Sequence, residues 1–135
     1  MSRSAAFAFG LASLLLAGCS GNELELHPVT GTVKYSDGSV PQGEMSTITF
    51  TPANPMEGKA ASSNIEPDGS FKLYTVTQGD GGALAGEYRV TVNVIQGYPR
   101  GRSLVAGEYT DFNKTPLNAT VDADKNHFDF TVKKP

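Results

Sequence analysis

Downstream of Pro28, apolar and polar residues alternate with a period of two in block after block. Val29, Gly31, Val33 and Tyr35 alternate with Thr30, Thr32 and Lys34, and Ile48 and Phe50 with Thr47, Thr49 and Thr51. Phe71 and Leu73 alternate with Ser70, Lys72 and Tyr74, and Tyr88, Val90, Val92 and Val94 with Arg89, Thr91 and Asn93. The last two blocks are Leu117, Ala119 and Val121, then Phe128, Phe130 and Val132. Successive side chains of a strand point to opposite faces, so each block has one apolar and one polar face. Half-buried strands of this kind bury their apolar faces by pairing two sheets. The pattern predicts an all-β, antiparallel two-sheet sandwich of about seven strands. Residues 60–65 make a weaker block that suits an edge strand.

Turn chemistry divides the blocks at the same places. Asp37-Gly38-Ser39 and Asp68-Gly69-Ser70 supply Asp-Gly pairs, where glycine accepts positive φ without a Cβ penalty. A polar turn at 122–126 joins the last two blocks. The chain has 15 Gly and 8 Pro, which fits a fold rich in turns, and its single Cys leaves the fold to hold by packing alone. With 11 basic and 14 acidic residues among 135, the net charge is −3, and no run of Lys or Arg is present. That balance argues against nucleic acid as a partner.

The amino terminus has a different character. Arg3 precedes the 13 uncharged residues 5–17, the charged and apolar regions of a secretory signal. The run is short of the ~20 apolar residues a membrane-spanning helix needs. It ends in Leu16-Ala17-Gly18-Cys19, which fits a bacterial lipobox: a branched aliphatic residue, two small ones, then the Cys whose thiolate takes a diacylglycerol. The expected organisation is a lipoprotein signal peptide over 1–18, a lipidated Cys19 with a short tether over 19–27, and a β-sandwich domain over 28–135. Fully extended, residues 20–27 would reach roughly 27 Å at about 3.4 Å each. More than one acyl chain, such as palmitate, is needed for a firm hold. Ser20 in place of Asp slightly favours the outer over the inner membrane.

The blocks together resemble a known family. Pro28-Val29-Thr30-Gly31-Thr32-Val33, Asp68-Gly69-Ser70-Phe71, Gly86-Glu87-Tyr88-Arg89-Val90 and Asn126-His127-Phe128-Asp129-Phe130, following a lipobox, are similar to small planctomycete-type lipoproteins with a transthyretin-like, carboxypeptidase-regulatory-like domain. The resemblance implies a seven-stranded prealbumin-like sandwich without enzymatic activity of its own. It carries no fixed ligand site, so it names no binding residues.

The residues themselves offer few starting points for catalysis. Gly79-Asp80-Gly81-Gly82 leads into a strand rather than the helix that a phosphate-cradling loop requires. Asp122-x-Asp124-x-Asn126 begins like a calcium loop, but His127 stands where Gly is needed and Lys133 where the loop needs Glu. A solvated turn is the better reading. His27, placed in the tether, and His127, on a polar strand face, have no ligand partner at metal spacing. Lys34, the lysine an internal isopeptide bond would use, alternates onto the polar face. No catalytic residue, metal or cofactor is expected.

The segment 97–116 is less regular. Tyr98, Arg100, Arg102 and Tyr109 lie on it, and exposed aromatics with arginines are what binding hot spots use. The same composition suits a loop that packs its tyrosines and solvates its arginines. Its Gly and Pro content suggests either mobility or function. The leading expectation is therefore a non-catalytic, lipid-anchored module of the cell envelope with a structural or interaction role. Its partners would be the membrane, through Cys19, and an envelope protein or glycan. A carbohydrate- or peptide-binding module is the alternative, and a hydrolase assembled from distant acids stands third.

Overall fold

Val29, Gly31 and Val33 are buried while Thr30 and Lys34 are exposed, so the first long strand has the two faces its sequence alternation calls for. The structure is a computed structural model that describes residues 25–75, 81–97, 99–124 and 126–135. The strands are β1 (Leu26–His27), β2 (Val29–Tyr35), β3 (Met45–Pro52), β4 (Ala61–Asn64), β5 (Ser70–Lys72), β6 (Tyr74–Thr75), β7 (Ala83–Leu84), β8 (Gly86–Gln96), β9 (Arg102–Ser103), β10 (Asn118–Val121) and β11 (Asn126–Val132). A 3-10 turn covers Gly107–Thr110. The fold is all-β. Among the described residues no helix is long and apolar enough to cross a membrane.

The larger sheet runs β10-β8-β3-β4-β6, with β9 added beside the far end of β8, and all its pairings are antiparallel. The smaller sheet runs β11-β2-β5. The two sheets meet through aromatic rings. Phe50 of the larger sheet lies 6.2 Å from Phe71, 5.8 Å from Phe128 and 6.0 Å from Phe130 of the smaller one. Val29, Val33, Ile48, Val90, Val92, Val94 and Val132 fill the space around them without exposure. Each such side chain contributes about 1.5–3 kcal/mol relative to leaving it in water.

One pairing departs from the antiparallel expectation. β11 runs parallel to β2, from Asn126↔Val29 to Val132↔Tyr35. The turn at 122–126 does join β10 to β11, but β10 pairs with β8, so the turn crosses from one sheet to the other. β11 therefore runs in the same direction as β2. Alternation sets which face a residue takes; it is silent about which strand lies beside which.

The start of the fold also differs. Leu26 and His27 pair with Leu84 and Ala83, so the last two residues of the expected tether are part of the structure, and His27 is buried. Within residues 60–65, Ala61–Asn64 form β4, which has β3 on one side and, along Ala61 and Ser62 alone, the two-residue β6 on the other. Because β1 and β7 immediately precede β2 and β8, both long strands start at the same end of the molecule. β8 has eleven residues and spans roughly 36 Å at ~3.3 Å per residue. Its far end carries the hairpin to β9.

The excursion between β9 and β10 is fastened to β8. Val105 and Tyr109 are buried in the core, the Thr115 hydroxyl donates to the Val90 carbonyl at 2.6 Å, and Arg89 donates to the Thr115 carbonyl at 3.0 Å. The Arg89 guanidinium also lies 5.5 Å over the Phe112 ring. A stretch with no strand periodicity is held by individual hydrogen bonds and by one buried tyrosine.

Candidate functional site

The outward face of the smaller sheet carries a polar row that register assembles from distant positions. His127 sits beside Thr30, which faces Lys72 on the other side, and Asp129 sits beside Thr32, which faces Ser70. Thr30 Oγ1 lies 3.0 Å from His127 Nδ1, and His127 Nε2 lies 3.1 Å from Asp129 Oδ1. Thr32 donates its hydroxyl proton to the same carboxylate oxygen at 2.7 Å. An ionised carboxylate can only accept. In the neutral ring, Nε2–H therefore donates to Asp129 and leaves Nδ1 to accept from Thr30. The Thr32 hydrogen bond, with a smaller contribution from the His127 charge, holds the Asp129 carboxyl below the usual carboxylate range.

A hydroxyl, an imidazole and a carboxylate in series form the arrangement that activates nucleophiles. Acyl transfer also needs donors aimed at the developing oxyanion and a site closed to water. Here the His127 and Asp129 side chains are 56% and 68% exposed on an open sheet face. The row is a preorganised set of hydrogen-bonding groups facing solvent.

Beside it lies a cleft of about 360 Å³. The chain makes it by changing sheets. β5 pairs with β2 in the smaller sheet, β6 pairs with β4 in the larger one, and the buried Leu73 between them turns inward. Lys72 and Tyr74, on either side of Leu73, consequently both face out. Tyr74 keeps 43% of its surface exposed. Ser63 and Glu66 close the side toward β4, and Thr30 and His127 close the side toward β11.

Of the residues singled out on the loop after β8, the three that are described do not share one exposed surface. Tyr109 is buried in the 3-10 turn, with 3% exposure, so its ring belongs to the core. Arg100 and Arg102 are exposed at the far end, Arg102 beside Gln96 in the β8–β9 ladder. Tyr98 and Cys19, the expected lipidation residue, lie outside the described residues. Lys34 is exposed, as its alternation requires.

The acidic turn after β10 is closed by its own side chains. Asn126 donates to the Asp122 and Asp124 carbonyls at 2.9 and 3.0 Å and accepts from the Asp122 amide at 3.0 Å. A cation that used these carbonyls would have to compete with Asn126 for them. Among the described residues no group of three or more His, Cys, Asp or Glu side chains gathers to hold a metal ion.

Comparison with protein-family models, curated proteins and solved structures finds no match. The cleft beside Tyr74 is thus read on its own chemistry. Its strongest sequence signal was an aromatic at a polar-face position, since Tyr74 alternates with Phe71 and Leu73 on the outward side. The nearness of Thr30 to His127, 97 positions apart, had no sequence signal.

Proposed function

We propose that this chain is a lipid-anchored, non-catalytic β-sandwich lipoprotein of the bacterial cell envelope, of transthyretin-like type, with an interaction or structural role. The observation that carries the reading is the short distance along the chain between Cys19 and the first strand. β1 starts at Leu26, with six residues, 20–25, between it and Cys19. Six residues reach at most roughly 20 Å at ~3.4 Å each. A lipid on Cys19 would therefore hold the domain close to the bilayer, by the end where β2 and β8 start. The Arg100–Arg102 end would face away, roughly 36 Å further out along β8. Confinement of this kind raises the effective concentration of the domain toward envelope partners without any new contact. The outer membrane is slightly favoured by Ser20.

Intact mass and membrane partitioning of the natively expressed protein test this reading, alongside Cys19→Ser. The expected result is a mature chain starting at Cys19 with added acyl mass, and release of the Ser variant from the membrane fraction. An unmodified wild-type chain in the soluble fraction would remove anchor, location and tethering together. The second reading, a glycan-binding module, is favoured by the exposed ring and mixed polar lining of the Tyr74 cleft.

A further inference from the structure

We infer that the cleft beside Tyr74 binds a neutral saccharide. This deepens the interaction role proposed above, but it does not depend on the lipid. A pyranose ring has apolar C–H faces and a rim of hydroxyls that both donate and accept. It needs an aromatic face to lie on, with donors and acceptors around that face. Tyr74 supplies the face: 43% of the residue is exposed, whereas Tyr88 and Tyr109 are buried. The electron-rich face of such a ring attracts the partly positive C–H groups of a sugar. Around it, Glu66 accepts, Lys72 donates, and the Thr30 and Ser63 hydroxyls, whose protons go to His127 Nδ1 and the Asn64 carbonyl, accept.

Two features narrow the ligand class. Lys72 and Glu66 carry opposite charges in one cleft, so neither a phosphate nor a sugar acid is favoured over a neutral ring. His127 is held by Thr30 on one nitrogen and Asp129 on the other, so its ring loses little freedom on meeting a ligand. A volume of about 360 Å³ lies at the small end of ligand pockets and suits a short stretch of saccharide.

The full-length chain, purified in a sugar-free detergent, is titrated with cellotriose and separately with triacetylchitotriose. Amide shifts and tyrosine fluorescence are followed, the latter being clean because the chain has no Trp. The expected result is binding of at least one trisaccharide with Kd near ~1 mM, with shifts at Thr30, Ser63, Lys72, Tyr74 and His127. Tyr74→Ala is expected to weaken binding about tenfold or more, and Tyr74→Phe to retain it. Glu66→Gln, which leaves the aromatic corner intact, is expected to weaken binding severalfold. The inference is overturned if neither sugar shifts these residues at about 10 mM, if shifts map to Arg100 and Arg102 instead, or if both Tyr74→Ala and Glu66→Gln bind as wild type. Membrane partitioning is read separately, so a failed titration leaves the anchor reading standing, and a failed anchor leaves the cleft standing.

Discussion

Gly31 lies directly across from Phe71 in the β2–β5 ladder, and the Phe71 ring folds over the space a Cβ at Gly31 would occupy. That Cβ would come within 2.6 Å of Phe71 Cζ and would collide with the Phe128 carbonyl oxygen of β11. The glycine therefore sits where a parallel and an antiparallel partner both close in on one strand.

Gly31→Ala is expected to destabilise the domain by about 3 kcal/mol, since a backbone carbonyl within a ladder has little room to give. Gly107→Ala provides the contrast. Nothing lies within 4 Å of its Cβ position, so the change is expected to be neutral or to stabilise by up to ~1 kcal/mol through the unfolded chain. Urea unfolding of the two variants checks both, and a Gly31→Ala cost no larger than that of Gly107→Ala would refute the packing account.

Phe50 is the ring through which the two sheets communicate. It meets Tyr88 on its own sheet at 5.8 Å and three phenylalanines of the other sheet. Phe50→Ala should cost about 3–5 kcal/mol, a large share of the ~5–15 kcal/mol a small domain has. Phe128 is only partly buried, so Phe128→Ala should cost clearly less. Thermal and urea midpoints of the two variants give the order, and a reversed order would move the centre of the core elsewhere.

The turn at 122–126 gives a third test. Asn126 is 6% exposed and makes three hydrogen bonds to the turn backbone. Asn126→Ala orphans those groups and is expected to cost about 2–3 kcal/mol. Because the Asp122 and Asp124 carbonyls already have partners, millimolar calcium chloride is expected to leave the Tm of the wild type unchanged. A calcium-dependent rise in Tm would show that a cation displaces Asn126.

Much of this fold was legible because a period of two is a local property. Thr30 and Val33, or Lys72 and Phe71, take their faces from their own neighbours in sequence, and the two Asp-Gly-Ser turns carry their own closure. In both turns the Asp carboxylate accepts from the amide and hydroxyl of the Ser two residues on. What was not legible depends on partners far along the chain. The parallel pairing of β11 with β2 follows from a turn that changes sheets, and no residue in that turn announces it. Tyr109 is core because a 3-10 turn lays it against β8, and one turn is too short to show a period. The candidate site was not singled out from the sequence: Tyr74 carried a local signal, an aromatic on a polar face, but the loop at 97–116 drew the reading instead, and His127 joined Thr30 only once the register was known.

That register makes one last, pH-dependent prediction. The Asp129 carboxyl is held below the usual range, first by the Thr32 hydroxyl and then by His127 and Lys34. A carboxylate whose folded pKa is depressed stabilises the fold above its unfolded value, about 3.9, and loses that contribution as pH falls through the folded value. Thr32→Val removes the first donor while keeping the side-chain shape. The Asp129 carboxyl is then expected to titrate closer to the ordinary range, with part of the stability difference between pH 4 and pH 2 removed. Asp37 and Asp68, lowered in the same direction by Ser39 and Ser70, serve as internal references that should not move. Carboxyl carbon shifts across the acid range resolve the three groups. If Asp129 titrates identically in both proteins, the Thr32 hydroxyl is not what holds it, and the row on the sheet face loses its first link.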